Sequence, residues 1–371
     1  MTRARELANL GNNTTDLEAI NAVYDAGGLT GRNLIINGAM TVAQRGTSST
    51  GVGAISGVFP CVDRMKVFAG NTAGRATVSQ VADVHDGFAN ALKFECTTAD
   101  TSIAADEFFG MQYIFEGQDL QQLKKGTSDA ESITLSFYVK GNANATYTVE
   151  VKDNDNDRIN TQTFNVTTSW NRVSLTLVPD TTGTLDDDNA SSFQFSIWLH
   201  AGSTYTGGTF ASNTWAARIN GNRVNSSQTS FFDSTSRTFF ITGIQLELGE
   251  ATPFEHRSYG DELAKCQRYL RLGGAGVYGI YNSAANIEIS IPLNPNMRAA
   301  PTLSMAKTTV TISNKTNSNT ATATSVSAVN ISSSPSGVYF AQIGNCNVTS
   351  ASAGHIAQFR TDEFLQLDAE L

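Results

Sequence analysis

The chain has 371 residues, a formal net charge of -9 and only 16% charged side chains, against roughly 25% in ordinary soluble domains. The length exceeds one comfortable core and predicts two folded domains. The acidic balance with no basic stripe excludes a nucleic-acid binder, which needs clustered Lys and Arg, and the lack of any apolar run of about 18 residues excludes membrane insertion.

The first 32 residues favour helix. Arg3, Arg5, Leu7 and Leu10 fall in a short helical stretch that Gly11 caps. A second helix starts at Thr15, with Glu18 completing a capping box, and carries Leu17, Ile20, Val23 and Tyr24 as an apolar stripe before Gly27 and Gly28 end it. Helices this short are marginal in isolation. The stripe therefore packs either on copies of itself about a symmetry axis, the preferred reading, or on the chain's own next domain. No apolar leader follows Met1, so synthesis and folding in a cytoplasm are expected.

Residues 33–257 read as strands, with β-branched and aromatic runs divided by Gly, Asn, Asp and Ser. Runs are expected at 133–140, 147–151, 161–166, 171–178, 193–200 and 237–248. Val173, Leu175 and Leu177 alternate with polar residues, as do Phe193, Phe195 and Ile197, so each strand buries one face of an antiparallel sandwich. Asn37-Gly38 predicts a hairpin turn at the start of this module. Ser258 is an N-cap for a linker helix over 258–273, with Leu263 and Leu270 on one side. Residues 274–371, including the Thr/Ser/Asn-rich stretch 308–334, predict a smaller C-terminal β-sandwich rather than a tail. The fold class is thus mainly β: helical anchor, jelly-roll sandwich, linker helix and a second β domain.

The chain has no G-x-S-x-G elbow, P-loop or H-E-x-x-H. Gly274, Gly276 and Gly279 fit G-x-G-x-x-G but run from helix to strand, reversing the order that cradles phosphate. His85, His200, His256 and His355 lie far apart in sequence, and Cys61, Cys96, Cys266 and Cys346 lack C-x-x-C spacing, which suits buried free thiols better than zinc ligation. Asp153, Asp155 and Asp157 place oxygens at alternate positions like a calcium loop. Arg158 and Phe164, however, stand where an EF-hand needs Gly and Glu. A hairpin turn and a looser calcium site both remain open there, and no other cofactor is expected.

Aromatics point to binding, because sugar rings stack on exposed aromatic faces beside hydrogen-bonding side chains. Trp198 reads as core. Tyr205, Phe210, Asn213 and Trp215 fall on a Gly-bearing loop and are the candidate glycan-binding residues.

Two stretches carry a family resemblance. One is Arg32-Asn-Leu-Ile-Ile-Asn-Gly-Ala-Met-Thr-Val-Ala-Gln-Arg-Gly46, followed by Cys61-Val-Asp-Arg64. The other is Ile241-Thr-Gly-Ile-Gln-Leu-Glu-Leu-Gly-Glu-Ala-Thr-Pro-Phe-Glu-His-Arg-Ser-Tyr259, continuing through Leu263 to Tyr269. They resemble bacteriophage tail-fibre and virion surface-fibre proteins with a carbohydrate-binding-like jelly roll. Met297-Arg-Ala-Ala-Pro301 resembles the opening strand of the C-terminal domain of that group, and Met65 stands where the group usually has Trp.

The resemblance implies a homotrimeric, non-enzymatic virion protein, assembled in the host cytoplasm. Its N-terminus, Arg3-Ala-Arg-Glu-Leu-Ala8, would dock on tail or capsid proteins, and its β modules would meet a host-surface glycan. A capsid decoration or head-fibre subunit without glycan affinity is the alternative. A glycan depolymerase would require two facing acids about 5 to 9.5 Å apart, which Asp153, Asp155, Asp157, Asp186 and Glu247 could supply only by tertiary placement.

Overall fold

A computed structural model describes residues 31–273, 276–307, 309–323, 327–333, 338–344, 346, 348, 351–361 and 365–371. The expected anchor and trimerisation residues Arg3, Arg5, Leu7, Leu10, Leu17, Ile20, Val23 and Tyr24 lie outside them. The chain divides into two compact units at Arg257/Ser258.

The first unit contains strands β1 (Ser48–Val52), β2 (Lys66–Gly70), β3 (Arg75–Val81), β4 (Ala91–Thr98), β5 (Phe108–Glu116), β6 (Ile133–Gly141), β7 (Ala145–Asp153), β8 (Arg158–Val166), β9 (Asn171–Leu177), β10 (Ser191–Ala201), β11 (Ala216–Ala217) and β12 (Thr238–Leu248), with a one-turn helix α1 (Ser203–Thr206) after β10. They form two six-stranded sheets, ordered β1-β3-β4-β12-β6-β9 and β11-β8-β7-β10-β5-β2, with antiparallel pairings throughout. This is the expected jelly-roll-type sandwich.

Period-two alternation explains the packing. On β10, Phe193, Phe195, Ile197 and Leu199 join the core, as do Leu135, Phe137 and Val139 on β6. The intervening residues of β6, among them Tyr138, stand on the opposite face of their sheet. Trp198 is buried, but its phase places it outside the inter-sheet core. It packs edge-on to Phe68 at 5.0 Å and under the Arg223 guanidinium at 4.7 Å.

Asn37-Gly38 makes a turn without flanking strands. Asn37, at φ 63°, is wholly buried. Its Oδ1 accepts from the Thr41 and Val42 amides at 2.9 Å, and its Nδ2 donates to the carbonyls of Val42 (2.8 Å) and Asp63 (3.0 Å). A Cβ on Gly38 would lie 2.1 Å from the Ile244 carbonyl oxygen, so only glycine lets this turn press against β12. The expected hairpin gives way to side-chain-directed coil because Asn37 satisfies the backbone groups that a ladder would have used.

In the second unit, helix α2 (Tyr259–Gln267) is capped by Ser258, whose Oγ accepts from the Asp261 amide at 3.2 Å. The helix expected over 258–273 stops early, at Gln267. Leu270–Gly273 forms strand β13, pairing with the chain's last strand from Leu270 opposite Asp368 to Gly273 opposite Leu365. Leu270 is wholly buried there, and that burial outweighs the helical phase it also fits. The helix therefore belongs to the second unit instead of standing as a separate linker.

The remaining strands are β14 (Tyr278–Tyr281), β15 (Ile287–Pro292), β16 (Thr302–Met305), β17 (Val310–Asn314), β18 (Asn319–Ala323), β19 (Ser327–Ser333), β20 (Val338–Gly344), β21 (Ile356–Phe359) and β22 (Leu365–Asp368). They give a three-stranded sheet, β13-β22-β16, and a seven-stranded sheet, β18-β17-β21-β14-β15-β20-β19, over a core that includes Tyr281, Ile289, Ile312, Phe359 and Leu367. Met297 to Pro301 lies between β15 and β16 and forms no strand of its own. All four cysteines are buried and none forms a disulfide, and no helix among the described residues is long and apolar enough to cross a membrane.

Candidate functional site

Residues 31–35 and 244–257 clasp each other across the first unit. Glu255 accepts from the amides of Gly31 (2.5 Å) and Asn33 (2.8 Å), while Arg257 donates to the carbonyls of Ile35 (2.9 Å) and Asn33. Asn33 in turn donates to Ile244 O at 3.1 Å and accepts from the Leu246 amide at 3.2 Å. Burial raises the Glu255 carboxyl, but the amides of Asn33 and Gly31 and the charge of Arg257 outweigh it and hold the group below its ordinary value. Met65 is buried in the core and offers nothing to a ligand.

Extended backbone then sorts the side chains of this second stretch. Glu255 and Arg257 turn inward to the clasp, while Phe254 and His256 turn to Phe88 on the outer face of the first sheet, at 5.1 and 5.2 Å. Phe88 also meets Tyr138 at 5.5 Å, and His85 lies 4.2 Å from Tyr138. Five half-buried or exposed rings thus form a shelf outside the core. Arg172 lies 6.0 Å from the Tyr138 ring centroid, and Lys140 pairs with Asp83 at 2.5 Å beside it. Further along the same face, Lys140 caps Trp170 (5.4 Å) and Phe240 (4.9 Å).

Gly243 makes the shelf possible. It sits at φ 61° in the β12 irregularity between Thr242 and Gln245, and a Cβ there would stand 2.6 Å from Phe88 and 2.9 Å from Tyr138.

The residues nominated on the loop are all half-buried, and three of them have definite structural tasks. The Trp215 indole N–H donates to Val178 O at 2.8 Å, with its ring 6.2 Å from Phe193 and the Lys125 ammonium 5.5 Å from its centroid. Tyr205 packs on Trp198 (5.2 Å) and Phe108 (5.5 Å). Asn213 donates to Thr176 O at 3.1 Å and accepts from the Val178 amide at 3.2 Å. Phe210 lies on the loop between them, half-buried. The structure therefore spreads Tyr205 and Trp215 apart along β10, one near Trp198 and the other near Phe193.

Asp153, Asp155 and Asp157 belong to the β7–β8 hairpin, which closes from Asp153 opposite Arg158. Asp153 is wholly buried on the Lys125 ammonium at 2.5 Å and accepts from Asn156. Asp157 meets Arg218 at 2.7 Å and Lys152 at 3.4 Å, and the Arg218 hydrogen bond holds it below its ordinary value. Asp155 accepts from the Asp186 amide at 2.9 Å, and burial raises its carboxyl. Two of the three charges are thus already neutralised by cations, and the geometry is that of an ion-paired turn. Lys125 also lines a cleft of about 400 Å³ with Leu120, Gln121, Lys124, Thr127 and Asp129.

The shelf residues went unnoticed in the sequence, although one signal was present. In 133–140 the alternation puts Tyr138 among Thr134, Ser136 and Lys140 on the polar face, and an aromatic there has no core to fill.

No family model matches the chain, and no curated protein matches it either. Among solved structures it is similar to a family 4 carbohydrate-binding module (14% identity, 57% of this chain, 98% of that one, TM-score 0.30). It is similar too to the family 11 module of the Clostridium thermocellum cellulase Lic26A-Cel5E (13%, 56% and 96%, TM-score 0.27). A third is TmCBM61 in complex with β-1,4-galactotriose (12%, 59% and 99%, TM-score 0.28). Likeness at this level leaves the ligand to be argued from the chain's own residues.

Proposed function

We propose that this chain is a non-enzymatic virion fibre protein of a bacteriophage that recognises a host-surface glycan through the outer face of the first sheet of its jelly roll. The observation that carries the reading is the shelf of His85, Phe88, Tyr138, Phe254 and His256, which stands clear of the core beside Arg172 and Lys140. Rings that fill no core, flanked by hydrogen-bonding side chains, suit a sugar's apolar face and its hydroxyls together.

The resemblance of residues 32–46 and 241–259 to phage fibres supports the particle assignment. The N-terminal 32 residues then serve for docking on a tail or capsid protein and for trimerisation. Three copies would raise a weak site's apparent affinity by linkage alone. Catalysis is not part of the reading: Asp153 and Asp157 are held by cations, and Glu247 is buried against Thr252 and Gln245.

The test is a glycan array with the intact chain beside Tyr138→Ala, Phe88→Ala and Trp215→Ala, each checked for mass and melting. Binding lost in the two shelf variants and kept by folded Trp215→Ala supports the reading. An intact oligomer that binds no glycan at any density overturns it and leaves capsid decoration.

A further inference from the structure

At one end of the first sandwich, three side chains distant in sequence converge. Asp100 follows β4, Glu107 precedes β5 and His200 stands at the end of β10. One ligand atom from each lies within 4.8 Å of the others, and it is the one such cluster among the described residues. All three are buried, at 6%, 6% and 0% exposure. Among the described residues, neither carboxylate forms an ion pair with a Lys or Arg side chain. Two desolvated acids side by side are costly unless a positive charge joins them.

The groups around the cluster hold it in shape. Asp100 Oδ2 accepts from Thr72 Oγ1 and the Ala73 amide, both at 2.8 Å. Ser230 Oγ lies 2.7 Å from His200 Nδ1. With Nδ1–H donating to that oxygen, the lone pair of Nε2 faces the acids, the arrangement by which outer groups fix a metal-bound histidine. Nε2 stands 3.3 Å from Glu107 Oε2. Two ligands at zinc's bond lengths around a tetrahedral ion are separated by about 3.3 to 3.5 Å.

We propose that Asp100, Glu107 and His200 form a structural binding site for a divalent transition-metal ion, for which zinc is the fitting ion. An imidazole donor beside two carboxylates suits zinc better than calcium, which takes six to eight oxygens, and a water would complete zinc's tetrahedron. The ion would tie the β4–β5 connection to the end of β10, and through Thr72 and Ser230 to two further loops. The site is closed by burial and separate from the aromatic shelf, so it stands or falls independently of glycan recognition.

The test uses the full chain purified without chelator. Metal content is read by mass spectrometry, and melting is followed before chelation, after it and after zinc is restored. Stoichiometric metal, a fall in melting temperature on chelation and its recovery with zinc support the site. Glu107→Gln, which keeps the shape, should fold, carry no metal and ignore chelator. A wild-type chain with no stoichiometric metal, whose melting neither chelator nor zinc moves, overturns the proposal, and this arm does not depend on any variant folding.

Discussion

Replacing Lys125 with Met tests the ion network beneath the cleft. The Lys125 ammonium touches Asp153 at 2.5 Å and Asp180 at 3.0 Å, with side-chain exposures of 5%, 0% and 4% for the three residues. It also donates to the carbonyls of Thr182 and Gly183, both at 2.9 Å. In Lys125→Met, Asp180 keeps Arg158 through two hydrogen bonds of 2.9 and 3.0 Å. Asp153 keeps only Asn156. Removing one partner of a buried pair costs about 3 to 5 kcal/mol, a large part of the roughly 5 to 15 kcal/mol that holds a domain together. The double variant Lys125→Met/Asp153→Asn strips both charges and should recover most of the loss. Urea unfolding followed by tryptophan fluorescence reads this directly, because Trp170, Trp198 and Trp215 all lie in the first unit and Trp215 borders Lys125. A single-variant cost under about 1 kcal/mol, or a double variant no more stable than the single, would refute the account of Asp153 as a buried, cation-dependent carboxylate.

Two further outcomes follow from burial and backbone. Gly243→Ala forces a side chain into a left-handed position, at a cost of about 1 to 2 kcal/mol, and drives its Cβ into Phe88 and Tyr138. Thermal melting should fall and glycan binding should weaken together, whereas an unchanged melt would sink the cramped-shelf argument. Burial pushes the Cys61 and Cys96 thiols up to about 11 and the Cys346 thiol to about 12. Since the thiolate is the reactive form, a thiol reagent at pH 8 should label these three only after denaturant is added, and their prompt labelling in the native chain would contradict the burial.

The strands were legible because alternation is a local signal: Phe193, Phe195 and Ile197 declare one face of β10 without reference to any other strand. Residue 270 shows the limit of such signals. Leu270 satisfies helical spacing from Leu263, yet its burial is met by pairing with β22, about a hundred residues on, and nothing local announces that partner. The same holds for His200. In sequence it has no acid beside it, and in the structure Glu107 reaches it from the start of the neighbouring strand β5 and Asp100 from the end of β4 in the other sheet. Trp215 and Tyr205 were legible as loop aromatics, but whether a loop ring faces solvent or anchors the loop depends on what lies beneath it. For Trp215 that is Phe193, Lys125 and the Val178 carbonyl.

The stretch 254–257 joins these levels. Its inward residues, Glu255 and Arg257, tie it to residues 31–35, so the first and last described segments of the first unit are held together. The outward residues, Phe254 and His256, are positioned by that same closure. A lesion in the clasp should therefore be felt on the shelf. Glu255→Gln, which keeps the shape and loses the charge that receives two amides and faces Arg257, removes charge-assisted hydrogen bonds of the kind worth about 1.5 to 3 kcal/mol. If the clasp orients the rings, this variant weakens glycan binding at temperatures where the sandwich stays folded.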